Sequence, residues 1–158
     1  MLFMIYSEPE YNKAFNFILP GLTITFLSTF ISFIIALFLG LISGIGRISK
    51  NKFARTISRT YIEFIRGVPV LILIFTIAFV VVVRAAEFFN INNGNVPMLV
   101  RAIIALSVFY GAYIAEVFRA GIESVPVGQR EGGASLGLSE RQVMRHIVLP
   151  QAFRNMLP

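Results

Sequence analysis

The stretch that decides the fold is residues 14–46, AFNFILPGLTITFLSTFISFIIALFLGLISGIG, which contains no charged side chain. It is long enough to cross the hydrocarbon core of a bilayer, about 30 Å thick, as a tilted helix. Thr25, Ser28, Thr29 and Ser32 interrupt the apolar residues with small hydroxyl side chains, which is typical of a helix that packs against other membrane helices. The sequence therefore predicts a first membrane span over residues 18–44.

The composition of the whole chain agrees with a membrane protein. Of the 158 residues, 56% are hydrophobic and 14% are charged, whereas soluble domains are about 25% charged. A single soluble core of this size could not hide so much apolar surface. Cysteine is absent and there is one histidine, so disulfides, thiolate sites and histidine metal clusters are excluded. We expect an all-α integral membrane protein with one transmembrane domain over residues 1–158.

Three further apolar segments extend this prediction. They indicate spans over residues 60–83 and 98–118 and the start of a fourth span at 143–158. The run Val80–Val83 would suit a buried strand in a soluble protein, but a lone strand cannot satisfy its backbone groups in lipid. Because the last segment is too short to cross a bilayer, we expect these residues to be part of a longer permease-like chain.

The distribution of basic residues predicts the orientation of the spans. Residues 47–66 and 119–145 hold most of the lysines and arginines, whereas the N-terminus and the 84–97 loop hold few. By the positive-inside rule the two basic regions face the cytoplasm and the N-terminus faces outside. The net charge of +6 is then explained by cytoplasmic loops, and no nucleic-acid partner is expected.

The loop over residues 122–142 contains signals for a short, well-delimited helix. Pro126 can open it, and Gly137 can close it in a left-handed conformation. Ser139 and Gln142 have the spacing of a capping box that would start the next helix. From the pattern alone, an ordinary connecting loop and a partner-binding element are both open.

A family resemblance separates these two alternatives. GQREGGASLGLSERQVMRHIVLPQAFRNMLP, residues 128–158, resembles the EAA loop of membrane subunits of ATP-binding-cassette (ABC) importers. Glu131, Gly137 and the run Ile147–Pro150 match the family's Glu-Ala-Ala, its later glycine and its Ile-x-x-Leu-Pro. Upstream, YIEFIRGVPVLILIF (61–75) and GAYIAEVFRAGIESVPVGQ (111–129) look like the branch that imports polar amino acids.

The resemblance implies a type I ABC importer permease fold in which this loop forms a coupling helix on a cytoplasmic ATPase dimer. The implied coupling residues are Gly128, Gln129, Glu131, Gly132, Gly133, Ala134 and Gly137. The family favours Ala-Ala where this chain has Gly132 and Gly133, a departure that should weaken the helix by roughly 1 kcal/mol per glycine.

The resemblance also implies the partners and the location of the protein. It implies a second permease subunit, identical or different, an extracytoplasmic amino-acid-binding protein and a multi-pass position in the plasma (inner) membrane of a bacterium or archaeon. ATP would be used by the partner subunit, and no cofactor would be bound directly. GLISGIGRIS (40–49) lacks the Gly-Lys-Ser/Thr ending of a nucleotide-binding loop, and no nucleophile–base set supports an enzyme.

Four residues are candidates for the translocation path or a gate. Glu116 is an acid inside a predicted span, which makes it a functional candidate, and Arg119 follows at pairing distance on one helical face. We expect a structural pair or gate element there, with substrate contact as the alternative. Arg66 either extends to the inner interface or contacts substrate. Tyr113 either lines a cavity or is packed.

Two other classes of function stay open at this point. One is an ATP-independent small secondary transporter or channel subunit, which the lack of a chain of intramembrane acids disfavours. The other is a membrane scaffold subunit whose loop only binds a partner.

Overall fold

The computed structural model describes residues 9–156, which fold as helices joined by short connections and include no β-strand. We number the helices α1 to α6 in chain order. They are α1 Pro9–Ile48, α2 Lys52–Gly67, α3 Val70–Phe88, α4 Met98–Glu123, α5 Val127–Ser135 and α6, residues 140–156. Helices α1, α3 and α4 are long and apolar enough to cross a membrane, which confirms the predicted all-α membrane fold.

Helices α1 and α4 form a parallel pair whose backbones lie close together. A Cβ on Gly44 would lie 3.1 Å from the carbonyl oxygen of Ala115, and one on Gly40 would meet the side chain of Ile114. Nearer the other end of the pair, the Ser107 hydroxyl donates to the carbonyl of Ser32 at 3.3 Å. Small residues thus let the two helices approach closely, as in other membrane helix pairs. Helix α1 is longer than the predicted span 18–44.

The predicted span over residues 60–83 is not one helix, which corrects the sequence interpretation. Helix α2 ends at Gly67, Val68 is extended (φ −105°, ψ 139°), and α3 begins after Pro69. A residue that precedes proline is disfavoured in the helical region, and proline fits just before or at a helix start. The second candidate span is therefore α3, Val70–Phe88, which contains one widened π turn at Ile77–Val81.

An apolar cluster joins α2, α3 and α4. Its buried members include Ile65 of α2, Leu73 and Ile77 of α3, and Phe109 and Ala112 of α4. The cluster lies directly beside the break at Val68 and Pro69. The end of α2 and the beginning of α3 are thus fixed to α4 although their backbone is discontinuous.

A second apolar cluster attaches α6 to the end of α4 and to Val125 of the loop that follows it. It consists of Ile122, Val125, Val143, Val148 and Ala152. Helix α6 begins at Glu140, three residues before the predicted start of the fourth span, and contains a π turn at Met144–Val148. It continues to Met156; the last two residues of the predicted 143–158 segment lie outside the described part of the chain.

Candidate functional site

The carboxylate of Glu116 lies at the centre of a cluster of arginines from three helices. Arg119 of α4 contacts it at 2.6 Å, Arg47 of α1 at 3.1 Å and Arg66 of α2 at 3.4 Å. The side chains of Glu116, Arg47 and Arg119 are each between 21% and 24% exposed, so water screens these ion pairs only in part. One carboxylate therefore connects α1, α2 and α4.

Two further acids balance the positive charge around this Glu116 cluster. Arg119 also pairs with Glu123, and Glu63 of α2 lies 2.8 Å from Arg59 and 3.8 Å from Arg47. Both Glu63 and Glu123 are about half exposed. The network is thus anchored on its least exposed acid, Glu116, and extends outward to solvent-accessible pairs.

Tyr113 completes the cluster on its aromatic side. The guanidinium carbon of Arg66 lies 5.7 Å from the centre of the Tyr113 ring, within the range of a cation–π interaction. The Tyr113 ring also packs against Phe109, with ring centres 4.8 Å apart. Tyr113 therefore holds Arg66 near Glu116 while its own ring stays partly exposed.

The structure brings together all four residues that the sequence indicated for a path or gate. The predicted pairing of Glu116 with Arg119 is confirmed. Arg66 turns back to Glu116 rather than only extending to the interface. Sequence reasoning missed Arg47, which lies 69 positions from Glu116; its one signal is a basic residue that follows an uncharged span directly.

The predicted coupling residues lie on α5 and immediately after it. The helix ends in a Schellman arrangement: Gly137 has φ +79°, its N–H donates to Ala134, and the N–H of Leu138 donates to Gly133. The predicted capping box at the start of α6 is also confirmed, since Ser139 and Gln142 each cap the other's backbone. Defined caps on both sides of Gly137 fix the direction of α5 relative to α6.

Hydrogen bonds and close packing hold one face of α5 against the rest of the protein. The Arg130 guanidinium donates to the carbonyl of Ile122 at 2.8 Å, which satisfies a free carbonyl at the end of α4. Gln129 lies 3.3 Å from Gln151 of α6. Gly133 is buried, and a Cβ there would collide with Ile147 and Val143. The second glycine of the Gly132-Gly133 departure thus permits close packing on α6.

The opposite face of α5 is exposed and carries both apolar and charged groups. Val127 is 67% exposed, and Leu136, just beyond the helix, is 82% exposed. Glu131 is exposed and makes no ion pair with any residue between 9 and 156. Gly128 and Gly132 have open space where a side chain would be. This face, which we call the α5 outer face, consists of Val127, Gly128, Glu131, Gly132 and Leu136.

Comparisons with known proteins agree with this arrangement. Residues 36–158 match the family model described as "binding-protein-dependent transport system inner membrane component". The probable amino-acid ABC transporter permease protein YckA of Bacillus subtilis is 37% identical over 146 residues, covering 92% of this chain and 61% of the relative. The glutamate transport system permease protein GluD of Corynebacterium glutamicum is 39% identical over 143 residues, covering 90% of this chain and 50% of the relative.

A solved structure has the same fold. The crystal structure of an amino acid ABC transporter with histidines superposes with a TM-score of 0.79 at 32% identity, covering 94% of this chain and 66% of that one. The chain spans between half and two thirds of the length of these three proteins. Taken with the α1, α3 and α4 spans and the capped α5, the matches identify this integral membrane protein as a member of the family of binding-protein-dependent transport system inner membrane components.

Proposed function

We propose that the chain forms the membrane path of an ABC importer for polar amino acids. In this proposal α5 transmits movement from a separate cytoplasmic ATPase dimer, a second permease subunit completes the path, and an extracytoplasmic binding protein delivers the amino acid. ATP is hydrolysed by the partner and not by this chain. The relatives named as amino-acid and glutamate permeases support the substrate class.

The single observation that carries the proposal is the two-sided character of α5. Its inner face is fixed through Arg130 and Gly133, whereas its outer face leaves Glu131 unpaired and Leu136 exposed. Exposed apolar groups beside an unpaired charge are typical of a surface that another protein covers. Because Arg130 bonds to the end of α4 and Gly133 packs on α6, a force on the outer face is transmitted to these two helices.

The Glu116 cluster is proposed as an ionic gate element of the same path. It connects three helices through one carboxylate, so a relative movement of α1, α2 or α4 changes several ion pairs at once. Such a cluster favours discrete arrangements over continuous deformation, as a switching element requires. Direct contact of Arg66 or Tyr113 with substrate is the alternative role.

The decisive experiment is charge reversal on the α5 outer face. In proteoliposomes that hold the assembled transporter, Glu131→Lys should reduce ATP-driven amino-acid uptake at least about tenfold, because loss of one charged contact at an interface costs a few kcal/mol. The chain should still insert and assemble in the membrane. The control is Glu87→Lys, which reverses an exposed acid that is paired with Arg84 at the other end of the bundle. Near-normal uptake and ATPase stimulation in Glu131→Lys would contradict the proposal.

The proposed orientation places the N-terminus outside and α5 in the cytoplasm. The chain contains no cysteine, so single cysteines can be introduced without background. A membrane-impermeant maleimide added to intact cells should label Asn95→Cys and leave Gln129→Cys unlabelled until the cells are permeabilised. The reverse pattern would overturn the orientation.

An ATP-independent carrier is the second candidate from the sequence, and no observation favours it. The relatives reported above are named as ABC or transport-system permeases. Uptake that continues after the ATPase partner is omitted from the proteoliposomes would support the carrier and contradict the importer.

A further inference from the structure

Helix α2 presents three different stripes along its length. Ala54, Ser58, Ile62 and Ile65 follow helical spacing and face the bundle, where Ile62 and Ile65 are buried. A second stripe is apolar yet exposed: Phe53 (74%), Ile57 (53%) and Phe64 (63%). A third stripe is exposed and basic, with Lys52, Arg55 and Arg59 at positions i, i+3 and i+7. The apolar and basic stripes lie on opposite flanks of the packed face.

Contacts along α2 show that it crosses the bundle rather than running parallel to the spans. Ser58 lies against Gly46, Glu63 lies near Arg47, and Arg66 lies near Glu116. Gly46 and Arg47 are consecutive, and Arg47 itself contacts Glu116. These three side chains, which are spread over about 12 Å of the α2 axis, therefore meet the same end of α1 and α4.

The two flanks of α2 contact α4 at different distances from its charged end. On the flank of the apolar stripe, the Tyr61 hydroxyl donates to the carbonyl of Val108, in the apolar middle of α4. On the flank of the basic stripe, Arg66 contacts Glu116, eight residues or about 12 Å nearer the charged end of α4. The apolar stripe thus faces the middle of the spans, and the basic stripe faces their end.

The cations at the beginning of α2 are not neutralised within the protein. Lys52 and Arg55 are exposed and form no ion pair with any residue that the structure describes. Arg59 is paired with Glu63, the acid of this helix. The Asn51 side chain already caps the N-terminus of the helix. The groups that can still bind an anion are therefore the Lys52 and Arg55 side chains.

We propose that α2 is an interfacial helix whose basic stripe binds the phosphodiester headgroups of anionic phospholipids. Lys52 and Arg55 supply the charge, and Phe53, Ile57 and Phe64 enter the region of the acyl chains. A helix with these two flanks lies in the plane of the interface, and its binding depends on both buried apolar area and attraction to anionic lipid. A second copy of the chain would cover the apolar stripe but would not neutralise the basic one.

The chain contains no tryptophan, so Phe53→Trp introduces a single indole reporter beside the two free cations. The purified chain is reconstituted in vesicles of phosphatidylcholine with a minority of phosphatidylglycerol, and one lipid at a time carries brominated acyl chains, which quench the indole. Brominated phosphatidylglycerol should quench more strongly than its mole fraction predicts. Added salt should reduce this preference because it screens exposed charges.

Two double variants in the Phe53→Trp background test the assignment. Lys52→Gln/Arg55→Gln should reduce the preference for phosphatidylglycerol by about fivefold for each cation removed. The matched control, Arg141→Gln/Arg145→Gln, removes two exposed basic residues of α6 and should leave the preference unchanged. If the first double variant does not insert, the salt dependence and the α6 control still test the proposal.

Three results would overturn the proposal. Equal quenching by both brominated lipids would show that α2 has no anionic preference. An equal loss in the α6 control would attribute the preference to net charge alone. Absence of quenching by either lipid would show that protein, such as a second copy, covers Phe53.

Discussion

The Glu116 cluster and α5 are close in sequence and have opposite relations to their surroundings. Glu116 is surrounded by three guanidinium groups from α1, α2 and α4. Glu131, in α5, is exposed and unpaired within the described chain. The first acid uses its charge to connect helices of its own chain, whereas the second leaves its charge available to a partner. A glutamate thus stabilises helix packing at position 116, whereas at position 131 its charge is free to contact another molecule.

Stability and coupling should therefore respond to different substitutions. Changes in the Glu116 cluster should destabilise the folded chain, because its arginines lose their common partner. Charge changes on the α5 outer face should leave the fold almost intact and, under the proposed function, should affect the assembled transporter.

The largest effect is expected for Glu116→Gln. Removing the negative charge leaves Arg47, Arg66 and Arg119 facing one another in a partly buried site, so we expect a loss of about 2–3 kcal/mol in the free energy of unfolding. Thermal unfolding of the chain in detergent measures it. Glu123→Gln is the control, because Glu123 is more exposed and an exposed pair contributes about 0–1 kcal/mol. Equal losses in the two variants would remove the distinction between the cluster and its periphery.

A smaller effect is expected for Gly137→Val. The residue has φ +79°, a conformation that costs an L-residue roughly 1–2 kcal/mol and is worst for β-branched side chains. The variant should be destabilised by about that amount, or should turn α5 away from its position and lose coupling. Gly137→Asn should retain more of the stability and more of the coupling, since asparagine tolerates the left-handed region. Indistinguishable Asn and Val variants would show that the conformation of Gly137 is unimportant.

The smallest effects should distinguish the two faces of α5 itself. Gly132→Ala adds a methyl group into open space and removes backbone freedom, so it should stabilise the chain by about 0.5–1 kcal/mol. Gly133→Ala gains the same helix propensity but places its Cβ against Ile147 and Val143, so we expect a net loss of stability. Melting temperatures of the two single variants test the prediction. A gain in both would mean that α6 can move away from α5 at little cost.

Local signals in the sequence predicted local structure well. The uncharged stretch, the Gly137 cap, the Ser139–Gln142 box and the Glu116–Arg119 pair each depend on residues within a few turns of one another, and each is present. In contrast, the break at Val68 was missed because Pro69 also suits the beginning of a continuous span. The pre-proline restriction on Val68 permits the break, and the packing of α2 against α1 and α4 accompanies it.

There is a physical reason why the rest of the Glu116 cluster could not be predicted from the sequence. Arg47 and Arg66 reach Glu116 only after α1, α2 and α4 have packed, and helical periodicity carries no information about contacts between distant segments. Gly40 and Gly44 are an indirect signal of the packing that brings Arg47 into place, since small residues permit close helix approach. They do not specify which helix approaches.

The order in which the helices leave the ribosome gives the close packing of α1 on α4 a further consequence. Helix α4 ends 75 residues after α1, the difference between positions 123 and 48, so at about 5–20 residues per second α1 waits roughly 4–15 s for its partner. During that interval the glycine face lacks its partner, and α1 has to remain in the bilayer through its own apolar side chains. Helix α4 is the least apolar of the three spans and carries Glu116 and Arg119. Arg47 and Arg66 have already been synthesised when α4 inserts. Glu116 can therefore pair with these arginines and does not enter the lipid as an isolated charge.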